Sequence, residues 1–203
     1  MLHRDVSVTN IMFEMREEKP FFILNDCDPV PLETSNGENI KPSCKNRTGT
    51  LPFMPCEVLE NLESLDRGDG SLIPHILRYD FESLYWVSLW CAMAMEPVKD
   101  ANLRQDIKTT LSNWETGSFH RIASWKRSVF MVPYAFNELP VSPLYEPCRS
   151  WLNNWNDIFS EACVHLVLHS MQRRKQGATA SMDFETIDGI ITKDTILEAI
   201  ASE

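Results

Sequence analysis

The stretch from Leu84 to Met95, LYWVSLWCAMAM, is apolar on nearly every face. A helix without a polar side has to be surrounded by other elements. It is too short to span a bilayer, which takes ~20 residues. A central helix over about 80–95 is therefore predicted, with Asp80 as its N-cap and Pro97 just past its end. The rest of the chain can supply the cover, since 203 residues with 43% hydrophobic and 10% aromatic content suffice for one sizeable domain.

The covering elements read mainly as helices. Leu103, Ile107, Leu111 and Trp114 recur at helical spacing and Gly117 closes that segment. Ser118 is placed to cap a following helix that carries Phe119, Ile122, Ala123 and Lys126. Pro133, Pro140, Pro143 and Pro147 then force the chain out of helical geometry. Ser150 precedes an amphipathic helix whose Trp151, Trp155, Phe159, Ala162 and Leu166 share one face, and a short last helix is expected around Thr195 to Ala201. Strands are expected only near the start, at Asn10–Phe13 and Phe21–Leu24, joined across the charged Glu14 to Lys19. The long polar, Pro- and Ser-containing segment from Pro29 to Arg47 reads as a long loop, of a length that is usually functional or disordered. The predicted class is mainly α with a small β-ribbon at one edge.

Charge and cysteine usage narrow the setting. With 19 basic and 29 acidic residues the net charge is -10, which disfavours nucleic acid or an anionic membrane as partner. The triplet Arg173, Arg174 and Lys175 reads as a solvated helix end. Six cysteines without C-x-x-C spacing, and no secretory leader pattern, point to reduced thiols in an intracellular, cytoplasmic or nuclear setting.

Chemistry is concentrated at the start. His3, Arg4, Asp5 and Asn10 follow the spacing H-R-D-x-x-x-x-N. Phosphoryl transfer needs a carboxylate that orients the attacking hydroxyl and oxygen ligands that hold Mg²⁺ on the nucleotide phosphates. Asp5 suits the first role, and Asn10 can fold back toward the same centre. Asp26, after the second apolar run, supplies a further carboxylate.

Further segments make a family resemblance specific: Arg47-Thr48-Gly49-Thr50-Leu51-Pro52-Phe53-Met54-Pro55-Cys56-Glu57, then Asp80-Phe81-Glu82-Ser83, then Asn113-Trp114-Glu115-Thr116-Gly117 with Ala123 and Lys126. Taken with the opening loop, the chain resembles the C-terminal lobe of a fungal-type protein kinase. The resemblance implies a protein kinase-like C-terminal lobe over 1–175, with catalytic loop 3–10, activation segment 26–57 and the central helix, followed by a linker and tail helix over 176–203. It implies Asp5 as catalytic base, Asn10 and Asp26 as Mg²⁺ ligands, Arg4 tying the catalytic loop to the activation segment, and His3 packed beneath. Thr50 would position the substrate hydroxyl. Glu57 would close the activation segment through an ion pair, with Arg121 and Arg149 as candidate partners, and Asp80 would hold the catalytic-loop backbone. The implied reaction transfers the γ-phosphate of ATP to a Ser/Thr hydroxyl of a protein.

Three departures qualify that expectation. Ser7 stands where many protein kinases carry Lys, although the fungal family shares Ser there; Cys27 and Asp28 replace the Phe and Gly after the metal-binding Asp, and Pro29 stiffens that turn. No G-x-G-x-x-G loop, strand Lys or partnering helix Glu occurs in this sequence, so the N-terminal lobe is absent from it. The expectation is weak or no ATP binding by this chain alone, and exposure of part of Leu84 to Met95 where a missing lobe or partner would lie. A non-catalytic, pseudokinase-like interaction module is the alternative, against which the joint retention of Asp5, Asn10 and Asp26 speaks. A small-molecule phosphotransferase is the third reading, disfavoured by Arg4 and by Gly49 to Glu57.

Smaller signals receive structural readings. His165 and His169 at i and i+4 lack a third metal ligand, and the six tryptophans sit mainly at helical core spacing. Ser35, Ser43, Thr48 and Thr50 read as loop polarity before phosphorylation sites.

Overall fold

The computed structural model describes residues 2–26, 49–176 and 181–201. After the opening loop and a 3-10 turn at Val8–Asn10, strands β1 (Ile11–Arg16) and β2 (Lys19–Leu24) pair antiparallel. Among the described residues six α-helices follow: α1 (Cys56–Asp66), α2 (Leu77–Ala94), α3 (Ala101–Glu115), α4 (Phe119–Met131), α5 (Arg149–Gln176) and α6 (Lys193–Ala201). The chain is thus mainly helical with one two-stranded ribbon.

The ribbon is longer than the sequence suggested. Both strands run into the charged segment, and only Glu17 and Glu18 turn the chain, at φ 48° and 63°. Two successive left-handed residues match the twist of a two-residue hairpin. The register puts Ile11, Phe13 and Met15 opposite Leu24, Phe22 and Pro20, so one face of the ribbon is wholly apolar. Phe13, Met15, Phe22 and Leu24 of that face are exposed.

Helix α2 is the centre of the molecule. Tyr85, Trp86, Leu89, Ala92 and Met93 are buried against α3, α4 and α5. The core is aromatic: Trp86 meets Trp114 of α3 at 5.3 Å and Phe130 of α4 at 5.0 Å, while Tyr85 meets Trp155 at 5.9 Å and Phe159 at 5.5 Å from α5. Such pairs each contribute about 0.5–1.5 kcal/mol beyond area burial. Ile187, Ile191 and Ile196 of the C-terminal segment lie in this same core. One stripe of α2 stays partly open, with Leu77 and Met95 exposed and Phe81, Leu84, Ser88 and Cys91 half-buried.

Other boundaries refine or correct the sequence reading. Helix α2 starts at Leu77, so Asp80 lies in its first turn; the N-cap position is Ile76, which makes no capping bond. Ser118 does cap α4, accepting from the Arg121 N–H, and Asp100 caps α3 through the Asn102 and Leu103 N–H groups. Gly117, at φ 121°, takes the conformation that ends α3. Pro143–Cys148 leave α geometry but keep a 3-10 turn before α5. Helix α1 was not anticipated. It buries Val58 and Leu59, and Leu59 packs with Met54 on Ile122 and Ala123 of α4.

Candidate active site

The opening loop is built onto the first turn of α2. The Asp80 carboxylate accepts the His3 N–H at 2.7 Å and the Arg4 N–H at 3.0 Å, one on each oxygen. His75 Nε2 adds a 2.8 Å contact to Asp80. Burial raises the Asp80 pKa, but the His75 bond and the two amides outweigh it and hold the carboxyl below its ordinary value. Arg4 sits at φ 71°, a left-handed conformation that costs a non-glycine residue about 1–2 kcal/mol. Its bond to Asp80 offsets that strain.

His3 is buried beneath the loop. Its Nε2 donates to the Asn25 carbonyl at 2.6 Å, and its Nδ1 accepts the Asp5 N–H at 3.3 Å. That pair of partners requires the Nε2-protonated tautomer. One imidazole therefore joins the opening loop, Asp5 and the end of β2.

Asp5 is the convergence point. Thr50 donates to its Oδ1 from the backbone N–H at 2.9 Å and from its hydroxyl at 3.1 Å. Asn10 Nδ2 donates to the Asp5 carbonyl at 2.9 Å and reaches Oδ2 at 3.4 Å. The Asn25 N–H to Asn10 carbonyl bond, 2.8 Å, extends the ribbon pairing and brings Asn10 to the end where Asp26 follows. Asp26 is exposed, at φ 61°, a region Asp tolerates better than most residues. Asn10 and Asp26 thus offer an amide oxygen and a carboxylate at one end of the ribbon. Hard oxygen donors of this kind fit Mg²⁺.

Glu57 pairs with neither Arg121 nor Arg149. Arg78, one turn before the apolar stretch of α2, forks onto it at 2.9 and 2.7 Å, and the Tyr79 hydroxyl donates to the same carboxylate at 2.9 Å. Arg149 instead meets Glu146 of the preceding turn at 2.6 Å. Burial raises the Glu57 pKa, but Arg78 and Tyr79 win and leave it depressed. Arg78 is only 5% exposed, and its Nε also donates to the Phe184 carbonyl at 2.8 Å.

Glu82 and Lys126 complete the floor. Glu82 accepts the Cys56 N–H at 2.8 Å, so α2 caps the N-terminus of α1, whose own Pro55 makes no cap bond. Lys126 is fully buried; its Nζ donates to the Met54 carbonyl at 2.7 Å and lies 4.8 Å above the Trp86 ring. Burial pulls its pKa down to about 8. His75 and Arg78 were not singled out from sequence, and Glu82 entered only as part of the Asp80-Phe81-Glu82-Ser83 segment, with no role assigned. Arg78 and Glu82 were within reach, since both flank Asp80 in the segment that carried a motif, whereas nothing marks His75.

The remaining signals fall elsewhere. His165 pairs with Asp188 at 3.0 Å, and the His169 ring stands edge-on to Phe184 at 5.6 Å. Among the described residues no group of three or more His, Cys, Asp or Glu side chains could hold a metal, and no helix is long and apolar enough to cross a membrane. Cys27, Asp28, Pro29, Ser35, Ser43 and Thr48, with most of the activation segment, lie outside the described residues.

No curated protein and no solved structure matches the chain. Residues 1–92 match the family model described as fungal protein kinase, a span that takes in the opening loop, the ribbon, Thr50, the Glu57–Arg78 pair and the Asp80 anchor. Over residues 1–92, a little under half of its 203 residues, the chain is similar to the fungal protein kinase family.

Proposed function

We propose that this chain carries the catalytic-loop half of a Ser/Thr protein kinase, with Asp5 as the base that takes the substrate hydroxyl's proton. The observation that carries the proposal is the meeting of Thr50 and Asn10 on Asp5, over a loop held by Asp80. A carboxylate fixed by neighbours on both sides is oriented before any substrate arrives, which lowers the cost of reaching a reactive geometry. Thr50, sharing Oδ1 with the incoming hydroxyl, positions a Ser or Thr beside the base.

Asn10 and Asp26 would hold Mg²⁺, with ATP as phosphoryl donor. The bound ion neutralises charge on the nucleotide phosphates. The exposed apolar face of the ribbon and the half-open stripe of α2 support a covering lobe or partner that supplies the nucleotide grip. Calorimetric titration of MgATP tests this division of labour. The chain by itself should show weak or no binding. A chimera carrying the nucleotide-binding lobe of another fungal kinase should bind, and Asp26→Asn should weaken the Mg²⁺ dependence. Tight MgATP binding by this chain alone would contradict the proposal.

A further inference from the structure

Helix α5 is apolar on two opposite faces. Trp155, Phe159 and Ala162 are buried in the core. Val164, Val167, Leu168 and Met171, spaced i, i+3, i+4, i+7, form a second stripe on the far side, exposed at 47%, 43%, 53% and 49%. A surface helix normally presents polar residues there, and a contiguous apolar stripe marks an interaction surface.

The charges around the stripe identify its occupant. Asp157 and Glu161 lie exposed on its N-terminal side, and Arg174 and Lys175 on its C-terminal side. Acid before and base after an apolar centre is the pattern of a self-complementary surface. A two-fold axis through such a surface places the acidic end of one copy against the basic end of the other. Parallel pairing would instead bring Arg174 and Lys175 against their own copies and set the two helix dipoles side by side with like ends adjacent. We propose that α5 is a self-association surface that pairs antiparallel with α5 of a second copy of this chain, crossing near Val167 and Leu168.

Four apolar side chains per copy with flanking ion pairs lie at or below the ~1,200 Å² lower bound for stable interfaces, so the dimer should form with a dissociation constant of about 10–100 µM. Sedimentation equilibrium of the full 203-residue chain across that range tests the proposal. The wild-type chain should be a concentration-dependent dimer. Leu168→Glu, which sets like charges together near the axis, should leave a monomer of unchanged helix content by circular dichroism. Asp157→Lys with Glu161→Lys should also dissociate the dimer, and adding Arg174→Glu with Lys175→Glu should restore it. The restoration depends on antiparallel complementarity and survives any local effect of a single substitution. A chain monomeric throughout, a dimer indifferent to Leu168→Glu, or a double charge reversal that fails to restore pairing would each overturn the proposal.

Discussion

Asp80 and Arg78 carry the largest predicted effects of single side chains. Asp80→Ala removes the acceptor for two backbone N–H groups and frees His75, and leaving such donors unpaired costs about 1–3 kcal/mol each. A loss of about 3 kcal/mol in urea unfolding is expected, with faster hydrogen exchange at the His3 and Arg4 amides; unchanged exchange would contradict the anchoring role. Arg78→Met strands the Glu57 carboxylate and should cost about 3–5 kcal/mol, while Arg78→Met with Glu57→Leu should cost less than the sum of the two single changes. Lys126 makes the pH prediction. Its folded pKa of about 8 lies below the ordinary 10.5, so the unfolded chain binds more protons between those values and stability rises with pH across that window. A shift of that size is worth on the order of 3 kcal/mol. Wild type should therefore gain on Lys126→Met as the pH climbs from about 8 toward 10.5. The buried Cys56 and half-buried Cys163 thiols, also pushed up by burial, oppose this above about pH 9, and Cys56 interacts electrostatically with Lys126, so the difference between the two proteins is read most directly between about pH 8 and 9. Equal pH profiles would contradict the burial of a titrating lysine.

Among the elements, the ribbon is the least well matched to its own sequence. Its turn uses Glu17 and Glu18 where a two-residue hairpin favours Asn-Gly. Glu17→Asn with Glu18→Gly should stabilise the ribbon by about 1 kcal/mol, seen as slower hydrogen exchange within β1 and β2; faster exchange would contradict the register. The helices were legible because their signals are local. Periodicity marked α3, Ser118 marked the start of α4, and uninterrupted apolarity marked α2 as central. The start of α2 was misplaced because an Asp ahead of an apolar run looks like a cap, whereas Asp80 spends its carboxylate on a loop far away in sequence. The same limit hid Arg78, Glu82 and His75. Arg78 and Glu82 meet Glu57 and Cys56 through tertiary contacts that no spacing rule encodes, His75 meets the nearby Asp80 across an irregular stretch that has no sequence signature, and α1 was overlooked because its N-terminus is capped from another helix.

At the scale of the molecule, a rigid aromatic core built on α2 presents a polar loop from one end. Trp86, Trp114, Tyr85, Phe130 and Phe159 immobilise the helix, and Asp80 and Arg78 at its first turns fix the opening loop and the start of α1 to it. Placing a reactive carboxylate on a rigid support is what positioning catalysis requires. The order of the loop residues was readable from the first ten positions, and the similarity to the family they indicate extends over residues 1–92. The return of Asn10 toward Asp5 was anticipated, but the direct bonds from Thr50 to Asp5 were not, since they depend on a segment 45 residues away. The most direct test is phosphotransfer by the chain joined to the nucleotide-binding lobe of a fungal protein kinase, comparing wild type with Asp5→Asn. Loss of the base should lower kcat by about 10²–10⁴-fold while ATP binding stays unchanged. Equal kcat in the two proteins would remove Asp5 from the chemistry.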